Sequence, residues 1–147
     1  MGSVTARLGR RASLAGLLSI GMTAAMTAAA DARIDYLLHC SGCHLENGRS
    51  SPPDVPDLRQ TLGYFASFPE GRSYLVRVPG ASQAPIDDGA LAEVMNWMLS
   101  NFELQTDNGE SIDGFDLTPF TAAEVAAYRP IPLYNPQALR VSLLATP

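Results

Sequence analysis

Cys40, Cys43 and His44 are the residues of this chain whose types and spacing most directly specify chemistry. Two cysteines separated by two residues, with a histidine directly after the second, form C-x-x-C-H, the pattern through which haem is attached covalently. Residues three apart share a face of a helical turn. Both thiols can therefore reach the two vinyl groups of one haem c, while the adjacent imidazole turns to the iron as its proximal ligand. A redox-active disulfide is the competing reading, but it calls for a βαβ pattern with a strand before the cysteines, and none is visible. A zinc site needs four ligands, and beyond these three the chain offers no Cys or His except His39. Because His39 precedes the attached Cys40, it reads as a surface or packing histidine rather than a ligand.

The element that must position the motif lies just upstream. Ile34, Leu37 and Leu38 fall at i, i+3 and i+4 and predict an amphipathic helix running into Cys40. Ahead of it, Arg7, Arg10 and Arg11 precede an uncharged stretch, Ala12–Ala30, that ends in Ala28-Ala29-Ala30. That order is expected of a secretory signal peptide over 1–30, cleaved before Asp31 or at Ala32, on the general route rather than the twin-arginine one. A membrane anchor is the other use of such a stretch, but its Ala, Gly, Ser and Thr content makes it only weakly apolar, so no stable membrane insertion is expected after cleavage. The expected location is the periplasm.

At 147 residues with 46% hydrophobic content, one modest domain with its own core is expected. All 15 acidic residues lie at or after Asp31, whereas three of the ten basic ones precede it, so the chain from Asp31 onward carries a net charge of −8 and contains no lysine. Such a surface disfavours nucleic acid and anionic membrane as partners and suits a redox protein with a basic docking patch.

With the motif in place, residues 33–102 resemble a class I monohaem cytochrome c. The resemblance rests on the helix leading into C-x-x-C-H, on Pro56-Asp57-Leu58 about a dozen residues after His44, and on a closing helix containing Asn96-Trp97-Met98-Leu99-Ser100. It implies an all-α fold, a few helices wrapped around one covalent haem. It also implies that the Pro56 carbonyl accepts a hydrogen bond from the far nitrogen of His44 and so fixes the ring. Trp97 would pack near Ala32 and Tyr36. Pattern alone supports the closing helix: Asp87 or Asp88 can cap it, Leu91, Val94, Met95 and Met98 form its apolar stripe, and it runs to about Phe102.

The chain departs from the family in the loop Val78–Ile86, which has no methionine to serve as the usual sixth iron ligand. Met95 and Met98 are the methionines that remain after signal removal, and either could fill that position although both belong to the helix stripe. Otherwise the distal site is open, holds water, or takes an unusual group such as the Gln83 side chain. For the propionate side, Arg72 and Arg77, which flank Tyr74, are candidates because guanidinium pairs with carboxylate in a fork geometry. Surface salt bridging would occupy the same arginines equally well, and Tyr74 could be either a core residue or a further propionate donor.

The haem domain is expected over 31–104, followed by an extension over 105–147. Residues 105–116 read as an acidic linker. Thr121-Ala122-Ala123-Glu124 gives a capping box, with Phe120 and Val125 as its hydrophobic staple, for a short helix to about Arg129 that Pro130 stops. Asn135 and Pro136 open a further helix through Leu144, with Leu139, Leu143 and Leu144 apolar. Padding of the core is the plain role for this tail, and shielding of the haem or docking of a partner are the others. The function expected is one-electron transfer between redox proteins. No acid–base or nucleophilic constellation accompanies the motif, which disfavours an enzyme. A haem protein with an open distal site that binds or reacts with a small molecule is the second reading, and a dedicated haem subunit of a larger oxidoreductase complex the third.

Overall fold

The computed structural model describes residue 2 and residues 31–50, 55–102, 104 and 118–145. The expected signal peptide and the acidic linker lie outside the described residues. Every regular element among the described residues is helical and none is a strand, so the fold is all-α. None of these helices is long and apolar enough to cross a membrane.

The first helix, α1, covers residues 31–39 and leads into α2 (Ser41–His44). The helix forms where the apolar spacing predicts it, but its buried side is different. Ile34 is 51% and Leu38 70% exposed, while Ala32 and Tyr36 are buried. Tyr36 sets the rotation of the helix: its ring packs 5.3 Å from Trp97 and 5.2 Å from Phe102. The phenol has a buried place to go as well, donating to the Leu45 carbonyl at 2.6 Å. A large ring with a satisfied polar tip outweighs two aliphatic side chains.

Two helices that the sequence pattern does not announce follow, α3 (Leu58–Ala66) and α4 (Pro69–Arg77). The Asp57 carboxylate caps α3 by accepting from the Arg59 backbone N–H. Pro69 supplies the preset φ of a first helical residue, and Glu70 and Arg77 lie at the ends of α4 that suit their charges. The two pack closely because Gly71 has no Cβ: one placed there would overlap the Phe65 backbone. After the single turn α5 (Pro79–Ser82) comes α6 (Asp88–Asn101), capped by Asp87, which accepts from the Ala90 N–H at 2.8 Å.

Two further helices, α7 (Ala122–Tyr128) and α8 (Pro136–Leu144), match the boundaries expected for the extension. Half of the capping box forms. Thr121 accepts from the Glu124 N–H, but the Glu124 carboxylate turns instead to Arg72. Phe120 and Val125 belong to the same core cluster as Tyr36, Leu62, Phe65, Val76, Leu91 and Val94, so the extension shares the core of the segment before it.

Candidate functional site

The motif turn is built on a backbone register that reaches back into α1. The Cys40 N–H donates to the Tyr36 carbonyl at 2.9 Å, and the Cys40 carbonyl accepts from both Cys43 and His44, at 3.2 and 3.1 Å. Cys40 and Cys43 therefore stand one turn apart, each a free thiol, the first half-buried and the second exposed. Burial, with the Asp35 charge adding to it, pushes the Cys40 thiol up to about 11. The turn ends abruptly at Leu45, whose φ of +51° is unusual for a residue with a side chain. Tyr36 holds that end, because its hydroxyl donates to the Leu45 carbonyl and lies 3.3 Å from the His44 carbonyl.

Cys40, Cys43 and His44 all border one cavity of about 380 Å³. Cavities that bury cofactor-sized ligands run roughly 300–1,000 Å³. Its walls are mostly apolar: Leu58, Leu62 and Phe65 from α3, Tyr74 and Leu75 from α4, and Leu91, Val94, Met95 and Met98 from α6. Both methionines of the α6 stripe thus belong to the core and to the cavity wall at once, with exposures of 3% and 5%. Val78, Pro79, Gly80 and Ala81 close another side, whereas Gln83 is exposed and outside the lining. His39 stands on the wall beside Cys40.

Pro56 and Asp57 lie behind His44. Burial lowers its pKa, and the Pro56 carbonyl beside the ring and the Asp57 charge oppose that shift. Its Nδ1 is buried with no closed hydrogen bond, so the Pro56 carbonyl is near enough to raise the basicity of the ring without accepting a bond of full geometry. Pro56 itself lines the cavity. Asp57, mostly buried, is held below the usual carboxylate range chiefly by its hydrogen bonds from Arg59, at 3.0 and 2.7 Å.

The candidate anion-binding residues divide. Tyr74 faces the cavity, its phenol raised by burial and pulled the other way by Arg140. Arg72 and Arg77 are elsewhere. Arg72 forks onto Glu124 with two bonds of 2.6 Å, donates to the Ala66, Thr118 and Pro119 carbonyls, and lies 3.8 Å above the Phe120 ring. Arg77 donates to the Ile131 carbonyl at 2.6 Å. Both bind the extension to the rest of the fold. Arg129, at the C-terminal cap of α7, does the same, donating to the Ser82, Ala84 and Ile86 carbonyls and to Asp88.

The wall that sequence reasoning missed comes from α8, where Pro136, Gln137 and Arg140 line the cavity. The signal was a helix beginning at Asn135-Pro136 with one cation in it; what the sequence could not supply was the fold that brings residue 140 against residue 61. Among the described residues no group of three His, Cys, Asp or Glu side chains converges as a bare metal ion would require. No protein-family model, no curated protein and no solved structure matches this chain.

Proposed function

We propose that this chain is an exported monohaem c-type cytochrome that carries single electrons between redox proteins. The observation that carries the reading is that two thiols and an imidazole, fixed within one turn, open onto a single apolar cavity of cofactor size. The residues present fit the group: Cys40 and Cys43 for the thioethers, His44 for the proximal position, and a buried Nδ1 left facing the Pro56 carbonyl. An iron held by a porphyrin needs only axial ligands from the protein, which agrees with a site built around one histidine.

The haem, when bound, supplies the one-electron iron couple. The chain does the rest. The Pro56 carbonyl raises the basicity of His44, and Tyr36 keeps the end of the motif turn in place through the Leu45 carbonyl. The apolar walls from α3, α4 and α6 keep water away and lower the local dielectric, which tunes the potential. Met95 or Met98, both on the cavity wall, would be the chain's own distal donor. The net charge of −8 beyond residue 30 suits a partner with a basic patch, and the arginine-rich start of the chain suits export to the periplasm.

The second reading, an open distal site that binds a small molecule, is favoured by one observation: Val78, Pro79, Gly80 and Ala81 bring no ligating side chain to the cavity. Ferric and ferrous absorption spectra of the haem-loaded protein decide between them. The carrier reading predicts a weak band at the red end of the visible spectrum that disappears in Met95→Ala or Met98→Ala. A high-spin spectrum unchanged in both variants, and shifted by CO after reduction, contradicts it in favour of the open site.

A further inference from the structure

Arg140 is in an unusual position for a cation. It sits on α8 at the wall of a mostly apolar cavity, half-buried, in a chain where acidic residues outnumber basic ones. Its guanidinium donates to Thr61 Oγ1 at 3.1 Å and stands 5.5 Å from the Phe65 ring centroid, with the Tyr74 phenol close by. The ion pairs of the described residues join Arg59 to Asp57, Arg72 to Glu124 and Arg129 to Asp88, and Arg140 belongs to none of them. A guanidinium carries five donors in a fork that matches a carboxylate. Withdrawing one from water without a counter-charge is costly, and the compensating anion is normally supplied by whatever shares the site.

We propose that Arg140, steadied by Thr61 and with the Tyr74 hydroxyl as a second donor, is the seat for a carboxylate of the cavity's occupant, which makes the C-terminal helix part of the binding site. This rests on the haem reading, in which the carboxylate is a propionate. Arg140 then takes the role that sequence reasoning assigned to Arg72 and Arg77, whose donors are committed to the extension. It acts as a binding and positioning residue. A cation at that edge favours the reduced iron, which carries one positive charge fewer, and so raises the reduction potential.

The test is redox titration of the haem-loaded protein as wild type, Arg140→Gln, Arg140→Lys and Arg77→Gln. Arg140→Gln is expected to shift the potential downward, Arg140→Lys to return most of the shift, and Arg77→Gln, which loses the same charge outside the cavity, to leave the potential near wild type. An unchanged potential in Arg140→Gln overturns the proposal, and so does an equal shift in Arg77→Gln, which would mean a general loosening of the extension. If Arg140→Gln yields no folded protein, Thr61→Val is the substitute: a smaller downward shift supports the seat and no shift overturns it. A wild type that acquires no covalent haem rejects the underlying haem reading instead, a result distinct from all of these.

Discussion

The motif segment and the C-terminal extension border the same cavity but are held in place by different physics. Around the motif the constraints are short in sequence: Cys40 bonds to Tyr36, His44 to Cys40, and Tyr36 closes the end of the turn at Leu45. Packing of Tyr36, Trp97 and Phe102 then fixes that unit in the core. The extension is held by arginines that cross long stretches of chain, Arg72 to Glu124, Arg77 to Ile131 and Arg129 to the turn before α6 and to Asp88 at its start. None of the α8 side chains is fully buried. The motif side is thus a packed, preset unit, and the tail side a charged strap over it.

The largest effect that separates the two is expected on the strap. Arg72→Ala leaves Glu124 and the Thr118 carbonyl without their donor and removes the contact with Phe120. A loss of about 3 kcal/mol in urea unfolding is expected, since the pair is mostly buried. A loss below about 1 kcal/mol would mean that the pair behaves as an exposed one. On the motif side, Gly48 has φ +79°, and a Cβ there would meet the Phe102 ring at 2.8 Å. Gly48→Ala should therefore cost about 2 kcal/mol through backbone strain and displacement of the ring. Thermal unfolding indistinguishable from wild type would show that this aromatic unit is not preset.

Tyr36→Phe retains the ring and removes the bond to Leu45, with an expected cost of about 1 kcal/mol. Near-ultraviolet circular dichroism should show whether the Trp97 environment changes with it. The smallest effect concerns Asp57, whose carboxyl the hydrogen bonds from Arg59 hold below its ordinary value of 3.8. Its contribution is therefore fully present above about pH 4 and is lost as pH falls through the lower folded value. Asp57→Asn should flatten the acid limb of the stability profile by less than about 1 kcal/mol while keeping a capping side chain at α3. An unaltered acid limb would show that Arg59 does not stabilise the charged form.

The division between motif and strap is also the division between what the sequence discloses and what it does not. Caps and stops are local, so Asp87, Thr121, Asn135 and Pro136 mark α6, α7 and α8 at the positions where those helices form. The motif is equally local. The rotation of α1 is not, because the aromatic partners of Tyr36 lie on α6 and just beyond it, and their combined area decides against the Ile34 and Leu38 stripe. The hairpin of α3 and α4 carries its information in Gly71, a close approach that has no signature in periodicity. The arginines were legible as cations but not as to their destinations. Arg72 meets an acid on α7 and Arg140 meets Thr61 in the cavity, and only the folded chain distinguishes them.

The most direct measurement of the central claim is the intact mass and pyridine haemochrome spectrum of the protein, expressed from its full gene in a host that attaches haem outside the cytoplasm. The account predicts a chain beginning near Asp31 that retains one haem after denaturation, and loses it when Cys40 and Cys43 are both replaced by alanine. A purified chain with no retained haem, or with Cys40 joined to Cys43 as a disulfide, would contradict it.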